Sequence, residues 1–125
     1  MITGVRSVGI YVGDQDRAKR FWTETVGFEF VQDSPMGEGA APRWIEVAPA
    51  DRSVILVLFT PEGQQDRVGT FSNILFACDD IHQTYQQLSA EGVHFPDPPR
   101  EEFWGWWAMF ADPDGNTYGL GARGQ

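Results

Sequence analysis

Two tryptophans, Trp44 and Trp107, hold corresponding places in the two halves of this 125-residue chain, and a carboxylate, Glu46, stands two residues after the first of them. Indoles facing a common space hold a flat aromatic molecule through buried area, and an offset stack adds about 0.5 to 1.5 kcal/mol. The same indoles serve equally to fill that space themselves or to seal a dimer interface. Glu46 has three roles open to it: a general base raised in pKa by apolar walls, a counter-ion or polar anchor for a ligand, or an ion-pair partner of Arg43. The anchor role ranks first, because no second positioned acid or oxyanion donor accompanies it. Ser7, Tyr11 and Asn73 would add hydrogen bonds around a ligand, or stand as satisfied polar residues in a wet cleft. Leu56, Leu58 and Met109 would supply its apolar walls. The run Glu101–Trp106 (EEFWGW) sets Trp104 beside two carboxylates and reads either as a lid or as a subunit contact.

Other reactive side chains are isolated. His82 falls in a helix and His94 in a short strand after it, too far apart in the pattern to act as a pair, so both read as structural or surface residues. The single cysteine, Cys78, has no histidine placed beside it and reads as a small apolar filler.

The elements that position these residues follow from periodicity. Val5–Val12 alternates as a half-buried strand, Asp14 or Asp16 opens a helix that Gly27 ends, and strands are expected at Phe28–Val31, Arg43–Val47 and Val54–Phe59. Gln32–Pro42 reads as a loop. The second half repeats the pattern, with a strand at Phe71–Cys78, a helix opened by Asp80 with Gln83 as a capping box and ended by Gly92, and strands at Val93–Phe95, Trp106–Phe110 and Asn116–Leu120. A Pro-rich loop at Pro96–Pro99 and a turn at Asp112-Pro113-Asp114-Gly115 separate these last strands. Asp14 to Asp80 is 66 positions, Gly27 to Gly92 is 65 and Trp44 to Trp107 is 63, so the chain reads as a duplicated βαβββ module, 1–62 and 69–123, joined by a polar linker.

One helix covers one face of a four-stranded sheet, so each module keeps a bare face, and two bare faces turned together enclose a cleft. Val8, Ile10, Val12, Ile55, Val57, Phe59, Ile74, Phe76 and Cys78 are assigned to the helix side. The alternate set, which includes Ser7, Tyr11, Trp44, Glu46, Leu56, Leu58, Asn73, Trp107, Met109 and Gly119, is assigned to the cleft.

Composition narrows the function. Eighteen acidic against nine basic residues give a net charge of −9, which repels phosphate backbones and anionic lipid, so no nucleic-acid partner and no membrane partner is expected. No apolar run approaches the ~20 residues that span a bilayer. With one cysteine and no secretory pattern at the start, a cytoplasmic location is the default expectation.

The pieces VRSVGIYVGDQDRAKRFWTETVGFEF, NILFACDDIHQTYQQLSAEGVHF and FADPDGNTYGL, in this order, resemble the first strand and helix, the fifth strand and second helix, and the closing strand of the vicinal oxygen chelate (glyoxalase/bleomycin resistance/extradiol dioxygenase) superfamily. The resemblance implies an α+β fold in which two βαβββ modules form a curved mixed sheet around a cleft, and a homodimer. It also implies a divalent metal held in the cleft by four residues, usually His and Glu. The matching positions here are Ser7, Leu56, Asn73 and Gly119. Leu and Gly offer no side-chain donor, so no metal and no cofactor is expected. The bleomycin resistance members bind their drug without a metal, and the reading that follows is metal-independent sequestration of an aromatic or amphipathic small molecule, such as an antibiotic. The alternative is an enzyme: a glyoxalase-like lyase or isomerase with a displaced metal, or a metal-free catalyst using Glu46 as acid or base.

Overall fold

Val8 and Ile10 alternate with Gly9 and Tyr11, and this period of two forms β1 (Val8–Tyr11). Asp14 then accepts at Oδ1 from the Arg17 N–H at 3.0 Å, satisfying one of the free donors that open α1 (Gln15–Arg20). The helix continues as a π-helical turn over Phe21–Thr25, closed by a 3.0 Å bond from the Val26 N–H to the Phe21 carbonyl. Phe21 and Trp22, consecutive in sequence, are both buried there. Gly27, at φ +90°, turns the chain out of the helix in a conformation that side chains disfavour. Then come β2 (Glu29–Pro35), β3 (Arg43–Ala48) and β4 (Leu56–Phe59). The sheet order is β1-β4-β3-β2, with β1 parallel to β4 and the other pairs antiparallel.

The computed structural model describes residues 1–39 and 42–123. The chain divides after Val68, and the unit from Gly69 onward repeats the same plan. It contains β5 (Phe71–Cys78), α2 (Ile81–Ala90), β6 (Arg100–Glu102), β7 (Gly105–Ala111) and β8 (Thr117–Ala122), in the order β5-β8-β7-β6. Asp80 caps α2 by accepting from the Gln83 N–H at 3.0 Å. Each unit is thus a βαβββ module with a mixed four-stranded sheet, the α+β class that the pattern of the chain predicts.

Three elements depart from expectation. β2 runs on to Pro35, because its register with β3 resumes after a bulge between Phe30 and Gln32; the expected loop begins later, and its Ala40 and Ala41 lie outside the described residues. Val93–Phe95 forms no strand and contributes only the bridge His94 to Ala111. The edge strand of the second sheet is instead β6, which pairs with β7 through a two-residue turn, Phe103-Trp104.

The register of the first sheet corrects one assignment of faces. Residues paired across strands share a face, and Val8 and Ile10 pair with Leu56 and Leu58, which in turn pair with Val47 and Ile45. Leu56 and Leu58 are therefore on the α1 side, fully buried, in one core with Ile10, Val12, Ala18, Phe21 and Trp22. The residues of β4 on the bare face are Val57 and Phe59. Every position of VILVLF is apolar, so alternation carries no phase there.

Gln15 ties this unit together. Its side-chain amide donates to the carbonyls of Arg43 at 2.6 Å and Leu58 at 2.9 Å, and its oxygen accepts from the Arg43 N–H at 3.0 Å. One side chain thereby joins α1 to the start of β3 and the end of β4. In the second unit the DPDGN segment has the same task. Asp112 accepts from the N–H groups of Asp114 and Asn116, from the Asn116 amide, and from the Tyr118 hydroxyl at 2.6 Å. Asn116 accepts in turn from the Gly69 N–H at 2.7 Å, which fastens the start of β5 beside β8. Burial pushes the Asp112 carboxyl above its ordinary value, against the opposing hydrogen bonds from Tyr118 and Asn116.

Candidate functional site

The face of the first sheet turned away from α1 gathers the polar and aromatic side chains. The pairing of Gly9 with Val57, of Val57 with Glu46, and of Gln32 with Glu46 defines one row; Tyr11 with Phe59 and Ser34 with Trp44 define the next. Trp44, Glu46 and Tyr11 share this face as expected, joined by Phe59, whose ring centroid lies 6.5 Å from that of Trp44, edge to face. Glu46 is only 7% exposed and accepts at Oε2 from the Trp44 indole N–H at 2.9 Å. The guanidinium of Arg67 lies over the Tyr11 ring, 4.9 Å from its centroid.

Arg43 does not pair with Glu46. Residues 43 and 46 are an odd number apart on one strand, so their side chains leave on opposite faces. Arg43 reaches the α1 side, bonding Asp33 at 2.9 Å and Asp16 at 2.6 Å. The hydrogen bonds to Asp16 and Asp33 hold the guanidinium proton more firmly than usual. Burial opposes ionisation of Asp33, but the bonds from Arg43 and Lys19 outweigh it and hold the carboxyl below its ordinary value. A cleft of about 350 Å³ opens between Gly13–Asp16, Arg43 and Thr60. Its polar side chains Gln15, Asp16 and Arg43 are engaged with one another and with the sheet, which marks the place as a structural joint.

In the second unit, Leu75 pairs with Gly119, Gly119 with Met109, and Gly121 with Trp107, which sets Leu75, Trp107 and Met109 on the face away from α2. Trp107 lies across Gly119: a Cβ built on that glycine would stand 2.6 Å from Cη2 of the indole. Asn73 sits where the β5–β8 register shifts, between Phe71 and Leu75, in a left-handed backbone at φ +64° with its side chain exposed. Ser72 stitches this irregularity by donating to the Thr117 carbonyl at 2.8 Å and accepting from the Ile74 N–H at 3.1 Å. Trp104 is half-exposed in the β6–β7 turn, edge-on to the fully exposed Phe103, with ring centroids 4.9 Å apart. Ser7, just before β1, is half-buried.

The remaining reactive groups take no part in either face. The ring of His82 packs on Trp106 with centroids 4.5 Å apart, on the α2 side. Burial pushes the Cys78 thiol up, the opposite of what a nucleophile needs. Val57 and Phe59 share the face of Glu46, and Arg67 lies over Tyr11, none of which the sequence pattern predicts. The two on β4 were hidden by its uniform apolarity, and Arg67 by the linker that carries it.

The resemblance in sequence implies a divalent metal, and the residues present do not fit one. Once the register is corrected, the β4 position on the bare face is Val57 or Phe59 instead of Leu56, and none of the three offers a donor. At Gly119 the space a ligand side chain would occupy is filled by the Trp107 indole. Among the described residues, no group of three or more His, Cys, Asp or Glu side chains converges.

Residues 4–120 match the family model of the glyoxalase/bleomycin resistance protein/dioxygenase superfamily. The YetH protein of Bacillus subtilis (strain 168) is 39% identical over 118 residues, which cover 94% of this chain and 97% of that protein. Among solved structures, a superfamily member from Sphaerobacter thermophilus DSM 20745 is 33% identical with a TM-score of 0.88, covering 98% of each chain. TnmS3, an antibiotic binding protein from Streptomyces sp. CB03234, is 36% identical with a TM-score of 0.84, covering 97% of this chain and 96% of its own. With the duplicated βαβββ plan and a family match over nearly its whole length, the chain belongs to the glyoxalase/bleomycin resistance protein/dioxygenase superfamily.

Proposed function

We propose that this protein binds and sequesters an aromatic small molecule, an antibiotic among the candidates, without using a metal ion. The observation that carries the reading is Trp107 lying across Gly119: the position where the family places a ligand to metal is given over to an aromatic surface. On the first unit, Trp44, Phe59 and Tyr11 offer further rings on the face that carries the buried carboxylate Glu46. The antibiotic-binding character of TnmS3, a relative at 36% identity, favours the same class of ligand. An acid/base role for Glu46 would need a partner to receive or supply a second proton, and Glu46 is bonded to an indole N–H that does neither.

Intrinsic tryptophan fluorescence of metal-stripped protein, titrated with a panel of aromatic antibiotics with and without zinc, nickel or manganese, tests the reading. The expected result is saturable quenching that is indifferent to metal, with the antibiotic recovered unchanged. Quenching that requires metal, or turnover abolished in Glu46→Gln while affinity persists, would replace the binder with an enzyme.

A further inference from the structure

We propose that the bare face of the first unit receives the ammonium end of an organic cation, with Glu46 as its counter-charge and Tyr11, Trp44 and Phe59 as its walls; this deepens the binding role proposed above and rests on it. A carboxylate with nine-tenths of its surface removed from water is costly unless its charge is balanced. Glu46 is 7% exposed, and among the described residues its donor is the neutral Trp44 indole, on Oε2. Among the described residues no basic side chain pairs with it. Arg43 leaves on the opposite face for Asp33 and Asp16, and Arg67 bonds Gln64 and lies over Tyr11. Oε1 therefore remains for a ligand, and a cation offers the most to such an oxygen, since it balances the carboxylate's charge as well as donating to it.

The walls have matching chemistry. Aromatic faces attract cations through their quadrupoles, and Tyr11 already does so in the structure, with the Arg67 guanidinium 4.9 Å from its ring centroid. Trp44 meets the carboxylate with its N–H edge, and Phe59 stands edge to face with Trp44 on the same side of the sheet. The net charge of −9 adds a field that draws cations toward the protein. A buried carboxylate on a face shared with Tyr11, Trp44 and Phe59 recognises an amine borne on an apolar body, and it repels an anion.

Isothermal titration of the full chain with three probes of equal size separates these chemistries: naphthylmethylamine, naphthylmethanol and naphthoate. The amine is expected to bind about tenfold more tightly than the alcohol, with the carboxylate weakest. Glu46→Gln, a near-isosteric change that keeps an acceptor for the Trp44 indole, is expected to erase the advantage of the amine over the alcohol. Arg67→Gln, which removes the guanidinium lying over Tyr11, is expected to widen the preference for the amine over the alcohol, and an unchanged preference overturns Tyr11 as a wall. Equal affinities for amine and alcohol, or an advantage that survives Glu46→Gln, overturn the inference. So does failure of all three probes while aromatic antibiotics still quench tryptophan fluorescence, an outcome that spares the binding role. Loss of both signals removes the binding role as well.

Discussion

The indole of Trp107 occupies the space directly over Gly119: a Cβ on that residue would lie 2.6 Å from Cη2 of Trp107 and 2.9 Å from Cδ1 of Leu75. Contacts this short force neighbours to move, so Gly119→Ala is expected to destabilise the protein by about 1 to 3 kcal/mol, the usual cost of overpacking. Urea denaturation of the single variant and of the same change in a Trp107→Leu background measures the coupling. The cost should shrink substantially once the indole is gone. An equal cost in both backgrounds would show that Trp107 does not hold that space.

A ligand that binds only the folded state raises its stability, by about 2.7 kcal/mol at a hundred times its dissociation constant. Thermal unfolding with zinc, nickel or manganese present is therefore expected to match unfolding in chelator. A saturable rise in Tm with any of these ions would mean that a metal site assembles from residues other than those at the family positions.

Asp33 joins β2 to both β3 and α1, through Arg43 at 2.9 Å and Lys19 at 3.2 Å. Its carboxyl is held below the ordinary value in the folded state, so the unfolded chain binds this proton more tightly. The resulting stability is fully present above the unfolded pKa of about 3.9 and is lost as pH falls through the lower, folded value. Asp33→Asn should cost about 1 kcal/mol at neutral pH, the scale of a partly exposed ion pair. The difference from the parent should then close as the pH of the denaturation series is taken below 4. A gap that persists unchanged into acid would contradict the ion pairs as its source.

Gln15→Leu removes three hydrogen bonds from a buried joint and leaves the Arg43 N–H and the Leu58 carbonyl without that partner. A loss of about 2 to 4 kcal/mol is expected, since orphaned buried polar groups cost more than the bonds themselves contribute. Hydrogen exchange should localise the weakening to β3, β4 and α1 of the first unit, with the amides of β5–β8 unaffected.

Much of the fold is legible in local sequence. Asp14 and Asp80 are helix caps because a carboxylate ahead of an amphipathic run satisfies free N–H groups, a rule that needs only local sequence. The glycines that follow each helix take left-handed backbones for an equally local reason, Gly27 at φ +90° and Gly92 at φ +92°. Other features were invisible. Gln15 has the sequence setting of any polar helix residue, and its role exists only because β3 and β4 bring two carbonyls and an N–H to the helix start. β6 carries no strand signal of its own, since Arg100–Glu102 is strongly charged and becomes a strand through pairing with β7.

By itself, then, the sequence determined the duplicated βαβββ plan, the helix ends, the turn at Asp112–Gly115, and the shared face of Tyr11, Trp44 and Glu46. Each of these follows from a period, a cap or a backbone preference acting over a few residues. Tertiary structure alone decided that Leu56 and Leu58 are core while Val57 and Phe59 share the face of Glu46, because an all-apolar strand takes its phase from the neighbours it pairs with. It also decided that Arg43 serves Asp33 and Asp16 instead of Glu46, and that Trp107 covers Gly119. Those outcomes depend on which residues stand opposite one another across strands, and only the folded chain settles that register.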